Sequence, residues 1–119
     1  MSSPTRGEIW TVDLDPTRGA EMRKRRPAAV ISSPAFDSQR LRIIVPITTW
    51  QPKFAAWSFM VPLQPDLSNG LTHDSCGNVL QVRCVAIERL VAKVGALSQA
   101  DVDALADGIA LCIDLKQMS

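Results

Sequence analysis

His73 is the sole histidine in 119 residues, and the three cysteines, Cys76, Cys84 and Cys112, show no Cys-x-x-Cys spacing. The carboxylates are scattered as well, so no group of side chains has metal-ligand spacing and no metal or other cofactor is expected. An odd, unpatterned set of cysteines argues against a disulfide framework and for reduced, mostly buried thiols in a cytoplasmic protein. Serine–histidine–acid catalysis would need His73 inside "LTHDSCG" (71–77), where nothing marks a nucleophile elbow, so it reads as a surface-loop histidine. A phosphate-cradling glycine motif is absent. No apolar run approaches the ~20 residues that span a bilayer. The opening "MSSPTRGEIW" lacks the apolar stretch of a signal peptide. An excess of one charge is missing too, with 13 basic and 12 acidic residues. Net charge alone therefore announces no polyanionic partner.

The charge distribution is more informative. Residues 18–26 hold five basic side chains against one acid, Glu21, whereas residues 99–115 hold four acids and neither lysine nor arginine. Such asymmetry points to an anionic ligand on one face. The 46% apolar content supports a real core, and the length suits one domain over 1–119.

The chain reads as short strands followed by one helix. "EIWTVDL" alternates, with Trp10, Val12 and Leu14 on one face, and Asp15-Pro16 ends it. "TRGAEMRKRR" is a loop hinged at Gly19, and "PAAVIS" is a strand buried on both sides. In "RLRIIVPIT" the residues Leu41, Ile43, Val45 and Ile47 share the apolar face. Thr48 lies on the other, and Pro46 predicts an edge position or a bulge. "WSFMVPL" is a further strand, Asn69-Gly70 a turn, and "NVLQVRCVAI" a strand with Leu80, Val82, Cys84 and Ala86 on its apolar face. Ser98 caps the single helix, Leu97 and Val102 staple it, and Val102, Leu105, Ile109, Cys112 and Ile113 form its apolar stripe. This predicts a mainly β fold, a small bent sheet or barrel with a C-terminal helix.

The basic loop is the one feature with a chemical reading beyond a solvated charge run. Arg26 precedes Pro27, so its backbone is biased toward an extended conformation and its side chain is held. Arginine offers a planar fork that binds phosphate oxygens bidentately, and the Thr48 hydroxyl at a neighbouring strand end is a fitting partner. In "TTWQPKFAAW" aromatic residues interleave with Lys53, a pattern suited to base stacking. Trp50 is the stacking candidate, and Trp57, alternating with Phe59, reads as core or dimer interface.

"RGEIWTVDLDPTRGAEMRKRRPAAVIS" resembles the N-terminal signature of the MazF/PemK family of toxin ribonucleases. The resemblance continues through "IIVPITT", "VLQVRCVAIERL" and "VGALSQADVDAL", in order and over nearly the whole chain. It implies an SH3-like barrel of about five to seven strands with a C-terminal helix, acting as a homodimer. The implied activity is metal-independent, sequence-specific cleavage of single-stranded RNA. The implied partner is a cognate antitoxin whose flexible acidic tail covers the RNA site. By motif, Arg26 and Thr48 match the family's catalytic arginine and threonine, and Gly19, Glu21 and Gln81 match positions that line or shape the site. Arg23, Lys24, Arg25, Trp50, Lys53 and Arg83 complete the expected RNA contacts. The chain departs from the family at Met22–Arg25, where glycine or glutamine is usual.

The chemistry implied is attack of a ribose 2′-hydroxyl on the adjacent phosphate, giving a 2′,3′-cyclic phosphate and a 5′-hydroxyl. Arg26 would stabilise the phosphoryl charge and Thr48 would hydrogen-bond a non-bridging oxygen. Glu21, the carboxylate nearest the basic loop, is either the general base or an ion-pair partner for its arginines. The alternatives are a CcdB-like toxin that binds gyrase and a non-catalytic RNA-binding barrel.

Overall fold

The computed structural model describes residues 3–115. Seven strands, β1 (Glu8–Asp13), β2 (Arg25–Val30), β3 (Leu41–Thr49), β4 (Met60–Leu63), β5 (Ser75–Asn78), β6 (Arg83–Ala86) and β7 (Leu90–Ala96), precede one helix, α1 (Gln99–Cys112). All pairings are antiparallel. The strand order is β4-β5-β3-β2-β1-β7, with β6 also paired to β3.

Both faces of the sheet are buried. On one face Ile9, Ala29, Ile31, Val45 and Ile47 pack with Val102 and Leu105 of α1. On the other, Val12, Leu14, Ala28, Val30, Ile44, Val85 and Leu90 form a second cluster, with Trp10 and Met22 against it. The alternation read for β1 is therefore present, with Ile9 added on the opposite side. Residues 28–31 are buried throughout, as expected of "PAAVIS". Ser98 caps α1 by accepting from the Asp101 amide at 3.2 Å. Leu97 and Val102 meet in the helix-side cluster. Ile113, expected in the apolar stripe, lies past the helix end and is exposed.

Four expectations need correction. First, only Val45 and Ile47 of the β3 apolar face are buried, and Leu41 and Ile43 are exposed. In that half the opposite face is covered, so Ile44 and Arg42 are inside. The Arg42 guanidinium donates to the carbonyls of Pro4, Gln39 and Leu41 at 2.7–2.8 Å, which offsets the cost of burying a charge. Second, Pro46 lies in a central strand. β3 pairs with β6 over Leu41–Ile44 and with β5 over Ile47–Thr49. The Ile31 amide donates to Ile43 O, so odd residues of β3 bond toward β2 and Pro46 faces the gap between β5 and β6. A missing N–H costs nothing where no acceptor is offered.

Third, "NVLQVRCVAI" is two strands broken by a 3₁₀ turn at Val79–Gln81. Val79 and Val85 are buried, whereas Leu80 and Cys84 are exposed, so the thiols are not mostly buried. Fourth, "WSFMVPL" is strand only from Met60. Trp57 ends a 3₁₀ turn (Pro52–Ala56) and stacks on Phe59 at 5.7 Å, with Phe54 and Trp50 continuing the ring contacts.

Candidate active site at the strand mouth

The loop between β1 and β2 is short on apolar anchors and is tied down by hydrogen bonds. Leu14 N donates to Lys24 O at 3.0 Å, and Lys24 N donates to Asp15 Oδ1 at 3.1 Å. Gly19 and Lys24 both adopt left-handed backbone, at φ +58° and +66°, which turns the chain twice within six residues. Gln81 reaches the loop from far along the sequence. Its Oε1 accepts from Met22 N at 2.6 Å and its Nε2 donates to Ala20 O at 3.1 Å. Arg89 donates to the carbonyls of Asp13 and Asp15, and Arg83 to that of Leu14.

This scaffold leaves an open cleft of about 470 Å³, bordered by Arg23, Lys24, Arg25 and Arg26 on one side and by Thr48, Thr49, Thr72 and His73 on the other. No carboxylate lines it. None of the ion pairs among the described residues involves the four basic side chains. Asp13 is the register partner of Arg25 and the Asp15 carboxylate sits at the Lys24 amide, but the residues lining the cleft itself carry only positive charge, which favours an anion there. Arg26 Nε donates to Arg23 O at 3.0 Å, so its guanidinium is steered while its terminal nitrogens stay available. The β2–β3 register, extended two residues past Ala28–Pro46, sets Arg26 opposite Thr48.

The sequence-predicted residues divide by place. Arg23, Lys24, Arg25, Arg26 and Thr48 meet at this cleft. Glu21, Gln81 and Arg83 line a second hollow of about 410 Å³, walled by Leu14, Met22, Pro46, Leu80 and Val82. The Glu21 carboxylate accepts from Arg18 N at 2.6 Å, closing the loop on itself. Gly19 is exposed and lines neither hollow; a Cβ there would meet nothing within 4 Å, so glycine serves the backbone angle. Trp50 is half-buried beside Asp74 and Ser75, and Lys53 is exposed with its ammonium 5.8 Å from the Phe54 ring centroid. Two residues had no role assigned from the sequence. His73, read as a surface-loop histidine, borders the cleft. Arg89, matched with Leu90 only as part of the family motif, pins the loop base.

The geometry defines a small antiparallel β protein with a C-terminal helix and a cleft lined by positive charge at one strand mouth. The family model for the PemK-like, MazF-like toxin of type II toxin–antitoxin systems matches residues 5–113, and the chain belongs to that family. It is 36% identical over 113 residues to endoribonuclease MazF9 of Mycobacterium tuberculosis, covering 92% of this chain and 96% of that one. Its fold is similar to MazF from Deinococcus radiodurans, with a TM-score of 0.80, 18% identity and coverage of 96% and 99%. It is also similar to a mycobacterial endoribonuclease solved in complex with its cognate antitoxin, with a TM-score of 0.76, 19% identity and coverage of 98% and 100%.

Proposed function

We propose that the protein is a metal-independent endoribonuclease that cuts single-stranded RNA and serves as the toxin of a toxin–antitoxin pair in the cytoplasm. The observation that carries this reading is the convergence of Arg26 and Thr48 on one carboxylate-free cationic cleft. Single-stranded RNA brings a phosphate backbone for Arg23–Arg26 and splayed bases for the neighbouring hollow and for Trp50. The ribose 2′-hydroxyl attacks phosphorus, the bond to the 5′ oxygen breaks, and a 2′,3′-cyclic phosphate and a 5′-hydroxyl result. Arg26 holds the charge developing on the non-bridging oxygens, and Thr48 donates a hydrogen bond to one of them. Lys53 supplies a further phosphate contact. Gln81, Arg83, Gly19 and Glu21 shape the loop that faces the RNA.

The same cationic surface suits the acidic tail of an antitoxin, and a protein of similar fold was solved in complex with its cognate antitoxin. A homodimer is the working form in this reading. The apolar surplus on which that rests lies at Leu41 and Ile43 of β3 and at Leu111, Ile113 and Leu115, all more than 40% exposed. Phe59 and Val61, by contrast, pack against the protein's own core.

The test is incubation of the pure protein with RNA in chelator. Cleavage to cyclic-phosphate ends, blocked by a single 2′-deoxyribose before the cut, is the expected result. Binding without cleavage would favour a non-catalytic RNA barrel, and neither would favour a CcdB-like toxin.

A further inference from the structure

The cleft that holds Arg26 and Thr48 lacks an obvious proton acceptor among the groups already assigned. Its arginines and lysine are cationic donors, and threonine hydroxyls are poor bases. Glu21 lines the other hollow and is engaged by the Arg18 amide. One lining residue, His73, carries an imidazole, whose unprotonated ring nitrogen can accept a proton. Its ring is fixed on one side, with Nδ1 2.8 Å from Thr72 Oγ1. The loop holding it is anchored in turn. Ser75 Oγ donates to His73 O at 2.8 Å, and Trp50 N donates to Asp74 O at 2.9 Å. Thr49 and Ser75 are register partners, which ties this loop to the strand end bearing Thr48.

We propose that His73 is the general base of the cleavage reaction, acting through Nε2 on the ribose 2′-hydroxyl. The inference rests on the ribonuclease reading above. The role requires the tautomer in which Nδ1–H donates to Thr72 Oγ1, since Nε2 then keeps its lone pair. It takes the 2′-hydroxyl proton as the O2′–P bond forms. The P–O5′ bond breaks, the 5′ oxygen takes a proton from water, and the imidazolium returns its proton to solvent. Arg26 neutralises the phosphate across the cleft, so the imidazolium forms next to charge that is already compensated. The charged groups around His73 are Arg23, Lys24, Arg25 and Arg26 from the β1–β2 loop and β2. The lining residues from β1, β3 and β7 are uncharged. Asp74, next in the chain, lines the neighbouring hollow with Trp50.

Single-turnover cleavage of an RNA transcript is measured across pH for the wild type and for His73→Gln, with affinity read separately on the same RNA carrying 2′-deoxyribose at the cut. The expected loss for His73→Gln is at least 100-fold in rate, the low end of the ~10²–10⁴ that general bases contribute. Affinity should change less than about threefold. The wild-type rate should fall as the base becomes protonated with falling pH, and His73→Gln should lack that limb. Added imidazole should restore cleavage to His73→Gly, a rescue that a structural role would not allow. His73 is exposed, so both variants should fold, and circular dichroism checks this. Wild-type cleavage with an unaltered rate and pH profile in His73→Gln overturns the inference and leaves the ribonuclease reading standing. So does a loss confined to affinity. An alkaline rather than acid limb assigned to His73 makes it the acid and overturns the role. A wild type that cuts no RNA overturns both.

Discussion

Arg26 and Thr48 stand at the ends of their strands, outside all three apolar clusters. Replacing either should therefore remove function without removing the fold. Arg26→Ala and Thr48→Ala are each expected to slow single-turnover cleavage by about 10²–10³, the usual cost of one preorganised donor to a developing oxyanion. Urea unfolding should stay within about 0.5 kcal/mol of wild type. Thr49→Ala should be much milder. Thr49 borders the same cleft, but extending the β2–β3 register two residues beyond its last pair, Ala28–Pro46, sets Thr48, not Thr49, opposite Arg26. The reverse order of effects would mean that the site uses the other face of β3.

Glu8 makes a different, pH-dependent contribution. Burial pushes its carboxyl pKa up, but the Lys93 ammonium at 2.8 Å and the Thr5 and Trp10 N–H groups outweigh that and hold it below the ordinary 4.5. A carboxyl lowered in the folded state stabilises above its unfolded pKa and loses that contribution as pH falls through the folded value. Glu8→Gln should cost about 0.5–1.5 kcal/mol at neutral pH. The difference from wild type in urea melts should close as pH drops below the ordinary value of 4.5.

Among the elements, the β1–β2 loop owes its shape to a side chain 59 residues away from Met22. Gln81→Ala removes both amide hydrogen bonds and leaves Met22 N and Ala20 O to water. Hydrogen exchange should rise in residues 18–24 and stay unchanged in β3, and cleavage should fall more than stability does. Such a link has no sequence signature, since nothing in Gln81 or its neighbours announces a partner in the loop. Periodicity served well where one element covers a whole strand face, as in β1, β2 and the first turns of α1. It failed at residues 78–87 because the alternation from Leu80 to Cys84 runs out of the Val79–Gln81 turn without a break, while the buried residues on either side are Val79 and Val85. It failed at Leu41 and Ile43 because α1 covers only the later part of β3. The roles proposed for Arg26 and Thr48 could be suggested from sequence because their residue types and neighbours carry a motif. The role proposed for His73 could not, because it depends on which loop the fold brings to the cleft.

For the whole molecule, a net charge of +1 conceals a local concentration at Arg23–Arg26. Binding to RNA and to an acidic antitoxin segment should weaken as salt rises, with the RNA slope close to 0.7 per phosphate contact, a value that holds roughly for single strands. Arg23→Glu combined with Arg25→Glu should lower both affinities at least tenfold and flatten the RNA slope. Unchanged affinities would reduce the loop to a solvated surface. Light scattering at micromolar concentration should return twice the chain mass, and a monomer would contradict the dimeric reading.

The Gln81 amide also bears on how such a protein is re-engineered. A loop whose shape is set from a turn elsewhere in the chain does not behave as a portable cassette. Grafting residues 17–25 from a relative to borrow its cutting preference transfers the letters without the mould. The exchange has to carry two segments, the loop and the 79–81 turn, and a library that diversifies one while fixing the other explores mostly misfitted pairs.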